Sequence, residues 1–202
     1  MISYIKQQLS NRWGSFSCKN TFEHNGNLPY MANGLAFNYI FRPISSNAIT
    51  ERYSCELPAD LHALYGVCNG MRLFLSSFCI FGVQTRAGEM EPFDIATENH
   101  NIHARMIGNN CEIEDLVFFG SLGKDTVFAF DRRFPNSYLC MKNGSSSPIK
   151  TFNSLAAMFD WFIPRLMKLY NDDCSKVFPN EKYKKIPALA NAILSYEELN
   201  NT

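Results

Sequence analysis

The sequence predicts one domain that mixes helices with strands around an apolar core, and three observations predict it. The stretch Phe118-Phe119-Gly120-Ser121-Leu122-Gly123-Lys124-Asp125-Thr126-Val127-Phe128-Ala129-Phe130-Asp131 reads as a strand, a glycine turn holding a charge pair, and a second strand. Upstream, Leu57-Pro58-Ala59-Asp60-Leu61 and Asn69-Gly70 read as a helix begun through proline and stopped through glycine. Downstream, Leu155, Met158, Phe159, Phe162, Leu166 and Leu169 recur at helical spacing as one apolar stripe. These pieces describe the frame of a small binding domain better than a reaction centre.

The bulk composition agrees. With 202 residues, 46% of them hydrophobic, the chain can bury a sizeable core without a disulfide or metal staple. Seventeen Phe and nine Tyr favour strands and an aromatic interior. Lys+Arg equals Asp+Glu at 19 each, so there is no basic excess of the kind that binds nucleic acid. Seven scattered cysteines with no CxxC pair read as reduced core thiols of a cytoplasmic protein. No apolar run approaches the ~18 residues of a membrane span, and no signal-peptide segment opens the chain, which predicts a soluble protein.

Element by element, Ile2, Ile5 and Leu9 predict a first amphipathic helix to about Ser10. Residues 11–34 read as irregular chain anchored by Trp13. Leu35 to Phe41 reads as a strand ended by Pro43, and Ser45 to Ser54 as a polar connection. Pro58 suits a first helical position, Leu61, Leu64, Tyr65 and Cys68 supply the helix's apolar face, and Asn69-Gly70 its left-handed stop. Leu73 to Val83 holds one or two strands, and Gly88 to Asn110 is a long polar loop with room for one short helix. After the hairpin, Tyr138 to Met141 is a further strand and 142–148 a turn. Asn153 caps the last strong helix, which Pro164 interrupts with a kink. A shorter helix is expected over 188–199. Because Val127 and Ala129 oppose Phe128 and Phe130, the strand 126–130 is apolar on both sides and belongs in the middle of a sheet.

Several residues invite a chemical reading. Gly120 to Thr126 has some features of a phosphate loop. Its glycine spacing is too short, Asp125 follows the lysine, and a strand follows where a helix is needed, so it reads as a hairpin turn. His100 and His103 stand three apart, yet no third ligand accompanies them in a zinc-binding pattern, and a solvated loop fits better. Asp125 and Asp131 flank one strand; as turn caps, or with Asp131 paired to Arg132 or Arg133, they are structural. No GxSxG elbow or GxGxxG fingerprint occurs, and no sequence feature pairs a cysteine with a histidine.

The order of pieces resembles the SUKH superfamily, which joins fungal Smi/Knr-type regulators to bacterial toxin-immunity proteins. The matching residues are Trp13-Gly14, Leu57-Pro58 with Asp60, Asn69-Gly70, the strand pair around 78–83, Gly120, Gly123, Asp125 and Asp131 of the hairpin, and Thr151 to Leu155 leading the last helix. The match is best over 57–170, within a domain of 1–170 followed by a C-terminal helical extension over 171–202. The resemblance implies an α+β fold, a single domain with a mixed, mostly antiparallel sheet flanked by helices. It brings no catalytic residue, cofactor or metal, and it makes Trp13, Gly14, Leu57, Pro58, Asn69, Gly70, Gly120, Gly123, Asp125 and Asp131 fold determinants. It implies a cytoplasmic immunity protein that blocks a cognate toxin by occlusion, with no nucleic-acid or membrane partner.

A regulatory scaffold of the Smi/Knr type is the alternative, and a small thiol hydrolase the third reading. The partner-facing residues expected from long or charged side chains in irregular chain are Arg86, Glu89, Glu91 and His100, beside Arg132 and Arg133.

Overall fold

The computed structural model describes residues 2–13, 38–53, 55–74, 76–84, 92–107, 113–170 and 172. Its elements are α1 (Ile2–Trp13), β1 (Tyr39–Ile40), α2 (Ser46–Tyr53), α3 (Ala59–Tyr65), β2 (Met71–Leu73) and β3 (Phe78–Ile80). They continue with α4 (Ile95–Ile107), β4 (Leu116–Leu122), β5 (Thr126–Asp131), β6 (Phe134–Lys142), β7 (Pro148–Phe152) and α5 (Leu155–Lys168). The seven strands form one sheet in chain order, every neighbour antiparallel. One parallel bridge, Gly82 with Asp94, stands outside them. The α+β class is therefore as expected, and β5 lies inside the sheet with all six residues buried.

The register divides the sheet into two faces. Phe78, Ile80, Leu122, Phe128, Phe130 and Tyr138 project to one, and Cys79, Ser121, Val127, Ala129 and Leu139 to the other. On the first face α5 presents Phe159 and Phe162, whose rings lie 5.5 and 6.1 Å from Phe78; Phe162 is 5.1 Å from Phe128. A bulge between Phe118 and Gly120 turns Phe119 onto this same face, edge-on to Tyr138 at 5.7 Å. Gly120 is needed there because a Cβ would stand 2.4 Å from the Cys79 carbonyl oxygen and 2.9 Å from the Phe128 ring. Each buried ring contributes about 1.5–3 kcal/mol by its apolar surface, so this cluster dominates stability.

Asp60 ties three elements of that layer. Its carboxylate accepts from the Tyr138 hydroxyl and, at 2.8 Å, from the Leu155 backbone N–H at the start of α5. Trp13 closes α1, buried against Phe74 at 5.9 Å, and Arg12 donates to the carbonyls of Met167, in the last turn of α5, and Tyr170, just past it.

Several expectations are corrected. α1 runs to Trp13 rather than Ser10. The polar connection at 45–54 is α2, whose Ile49 and Tyr53 sit one turn apart and are buried. The long loop holds a 13-residue helix, α4, buried through Ile95, Ile102 and Met106, with Asn99 occupying the apolar slot that the pattern lacks. The residues 148–152 form β7 where a turn and a helix lead were expected. Ser154, not Asn153, caps α5, accepting from Ala157 N–H at 3.1 Å, and α5 runs unbroken past Pro164.

α3 ends at Gly66 in ordinary right-handed geometry. Asn69-Gly70 instead opens β2: Asn69 exchanges two 2.8 Å hydrogen bonds with the Val83 backbone, and Gly70 sits at φ +83° against the Ile80 carbonyl. Of the strand expected over 35–41, only Tyr39–Ile40 is strand among the described residues; its residues 35–37, Gly14, the helix over 188–199 and all but Asp172 of the 171–202 extension lie outside them.

Candidate functional site

On the second face of the sheet α4 packs against β4. Asn99 fixes the helix there by donating to the Phe118 carbonyl at 2.6 Å and accepting from its N–H at 2.9 Å. Phe118 is in register with Ala129 of β5 but lies beyond the last β4 residue paired with β3, Gly120, so Asn99 supplies partners where that pairing has stopped. His103, one turn on, sets its ring edge-on to Phe118 at 5.2 Å. Burial pushes the His103 imidazole down, partly offset by a hydrogen bond it makes to the Leu116 backbone and reinforced by the nearby Arg132 charge.

Beside this flank of α4 opens a groove of about 800 Å³. Ile107, Ile113, Leu116 and Leu139 give it apolar walls; Glu114, Asp115, Asp131 and Arg133 give it charge. The β5–β6 turn shapes its rim. Asp131 accepts from the Arg133 N–H at 2.9 Å and from its guanidinium at 3.0 and 2.7 Å. That hydrogen bonding holds the Asp131 carboxyl below its usual range despite burial. Arg133 also lies 3.2 Å from Asp115. Arg132 donates its N–H to the Asp115 carbonyl at 2.9 Å and its guanidinium to the Glu114 carbonyl at 3.3 Å. Phe134, which follows and lies against Arg133, is 63% exposed, and Ile107 in the groove lining 64%.

On the opposite flank of α4 a cavity of about 550 Å³ meets Glu98, Ile102, Arg105, Ser121 and Lys124. Burial pushes the Glu98 carboxyl up.

No family model, curated protein or solved structure matches this chain.

Of the residues expected to face a partner, the structure brings Arg132 and Arg133 together at the groove rim. His100 is exposed on α4 but does not line the groove, so it is separated from its neighbour His103. Arg86, Glu89 and Glu91 lie outside the described residues. Asp125 and Asp131 stand at opposite ends of β5 and do not form a carboxylate pair; Asp125 accepts the Asn143 N–H at 2.7 Å through its carbonyl. Gly123 takes φ +61° in the hairpin turn, as a strand–turn–strand reading requires.

Sequence reasoning missed Ile107, Phe134 and Asn99. An exposed Phe straight after a two-arginine turn was the available signal. Among the described residues, no group of three metal-binding side chains occurs. The described cysteines are thiols; Cys68, Cys79 and Cys140 are buried, and burial pushes Cys79 and Cys140 up to about 12. Thiols of that kind stay protonated and are poor nucleophiles. No helix among the described residues is long and apolar enough to cross a membrane.

Proposed function

We propose that this chain is a non-enzymatic, cytoplasmic binding protein of the immunity type, which blocks a protein effector by covering its working surface. The observation that carries the reading is the groove rim. Ile107 lines the groove and Phe134 lies against Arg133, each more than half exposed, beside charged side chains that hydrogen bonds already hold in place. Exposed aromatic and arginine anchors on a pre-ordered surface are what a protein interface uses, because little side-chain freedom is lost on docking. A full interface of roughly 1,200–2,000 Å² extends well past the groove itself.

The test is co-purification of the full chain from its native host at mild salt, with wild type and a Phe134→Ala/Ile107→Ser variant. The expected result is an effector chain that loses activity in the wild-type complex and is not retained by the variant. Capture of a resident host enzyme whose activity is tuned rather than abolished returns the regulatory scaffold. A hydrolytic activity of the purified chain that disappears in one Cys→Ser variant overturns the binding reading altogether.

A further inference from the structure

We infer that the groove beside α4 receives a basic, amphipathic segment of a protein partner: a lysine or arginine side chain whose aliphatic stem lies on Ile107 and Leu139. The inference rests on the reading above that the partner is a protein, and it adds the chemistry of the part that docks. Three carboxylates, those of Glu114, Asp115 and Asp131, line the groove against one guanidinium, that of Arg133. Arg132 is a second cation at the rim: its guanidinium donates to the Glu114 carbonyl oxygen and helps push the His103 imidazole down, so the carboxylates still outnumber the guanidinia by three to two.

The three carboxylates are not equivalent. Asp131 is almost fully buried and spends both oxygens on Arg133. Asp115 is 45% exposed and meets that same arginine through one oxygen. Glu114 is exposed, and among the described residues its carboxylate joins no ion pair. The unsatisfied negative potential therefore sits on Glu114 and Asp115, at the mouth, while the apolar walls lie beside it. Long cationic side chains suit that arrangement, because they cover apolar surface with their methylenes and place the charge at the rim. An anionic ligand, whether acidic peptide or nucleic-acid backbone, meets like charge there and is disfavoured.

The experiment titrates the full chain with two short acetylated peptides, one alternating arginine with leucine and the other alternating glutamate with leucine, followed by fluorescence anisotropy. The arginine peptide is expected to bind, with an affinity that falls about fivefold in Glu114→Gln/Asp115→Asn, in line with two exposed ion pairs. Ile107→Ser weakens it further, and Glu98→Gln on the opposite flank of α4 leaves it unchanged. Thermal melts of all variants check that the fold persists. Equal or tighter binding of the glutamate peptide overturns the inference, as does an arginine-peptide affinity indifferent to the charge variant. If a captured effector binds the Glu114→Gln/Asp115→Asn chain as tightly as wild type, the inference fails while the binding-protein reading stands. If the arginine peptide binds as expected but no protein is captured, the groove chemistry stands and that reading fails.

Discussion

The two faces of the sheet are built by opposite means. On one, Phe78, Phe119, Phe128, Phe159 and Phe162 interlock as rings, and the polar contribution is concentrated in Asp60. On the other, α4 is fastened by a side-chain amide, and a charged groove opens beside it. Ring packing is non-directional and strong, so it makes a frame; hydrogen bonds from one helix fix position at modest energy and leave surface free. Such a division leaves the groove, the surface proposed for docking, away from the ring cluster, where substitution is expected to cost little stability.

Breaking the frame has the largest expected effect. Phe128→Ala removes a fully buried ring from β5 and leaves a cavity among Phe78, Phe119 and Phe162. The destabilisation expected is about 3–5 kcal/mol, read as a shift in the denaturation midpoint at unchanged m-value. A loss below about 1 kcal/mol contradicts the division between the faces. The second prediction sharpens it from the other side. Asn99→Ala removes the side-chain partner of the Phe118 N–H and carbonyl, at about 1–3 kcal/mol. Its signature is local: hydrogen exchange at Phe118 accelerates while β5 and β6 keep their protection.

The frame was legible in the sequence because its signals are periodic. The alternation through β5 and the spacing of Leu155, Met158, Phe159, Phe162 and Leu166 each repeat one rule several times. The groove was not legible, because its parts are single residues brought together by register. Asn99 reads as a polar interruption of a helical stripe until the Phe118 backbone gives it two partners. Likewise Asn69-Gly70 carries the usual sign of a helix end, yet it serves a close approach between β2 and the chain at 80–83. Arg132 and Arg133 were visible as a charge pair, but their position at the groove that Ile107 lines depends on α4, a helix read as loop because its buried face is only partly apolar.

The smallest expected effect concerns the rim. The Asp131 carboxyl is held below its ordinary value near 3.8, first by the Arg133 side chain. A depressed folded value means that the unfolded chain takes up the proton first on acidification. The pair's stabilisation is therefore fully present above about pH 4 and fades as the pH falls through the lower folded value. Arg133→Met removes the partner while keeping much of the side-chain volume. The gap in melting temperature between wild type and variant is expected to be small near neutral pH, because the guanidinium is mostly exposed, and to close further below pH 4. A gap that stays constant on acidification instead means that Arg133 stabilises the turn through its guanidinium against the Phe134 ring, 5.9 Å away, rather than through its pairing with Asp131. The rim then belongs energetically with the aromatic frame, and the contrast between the two faces narrows.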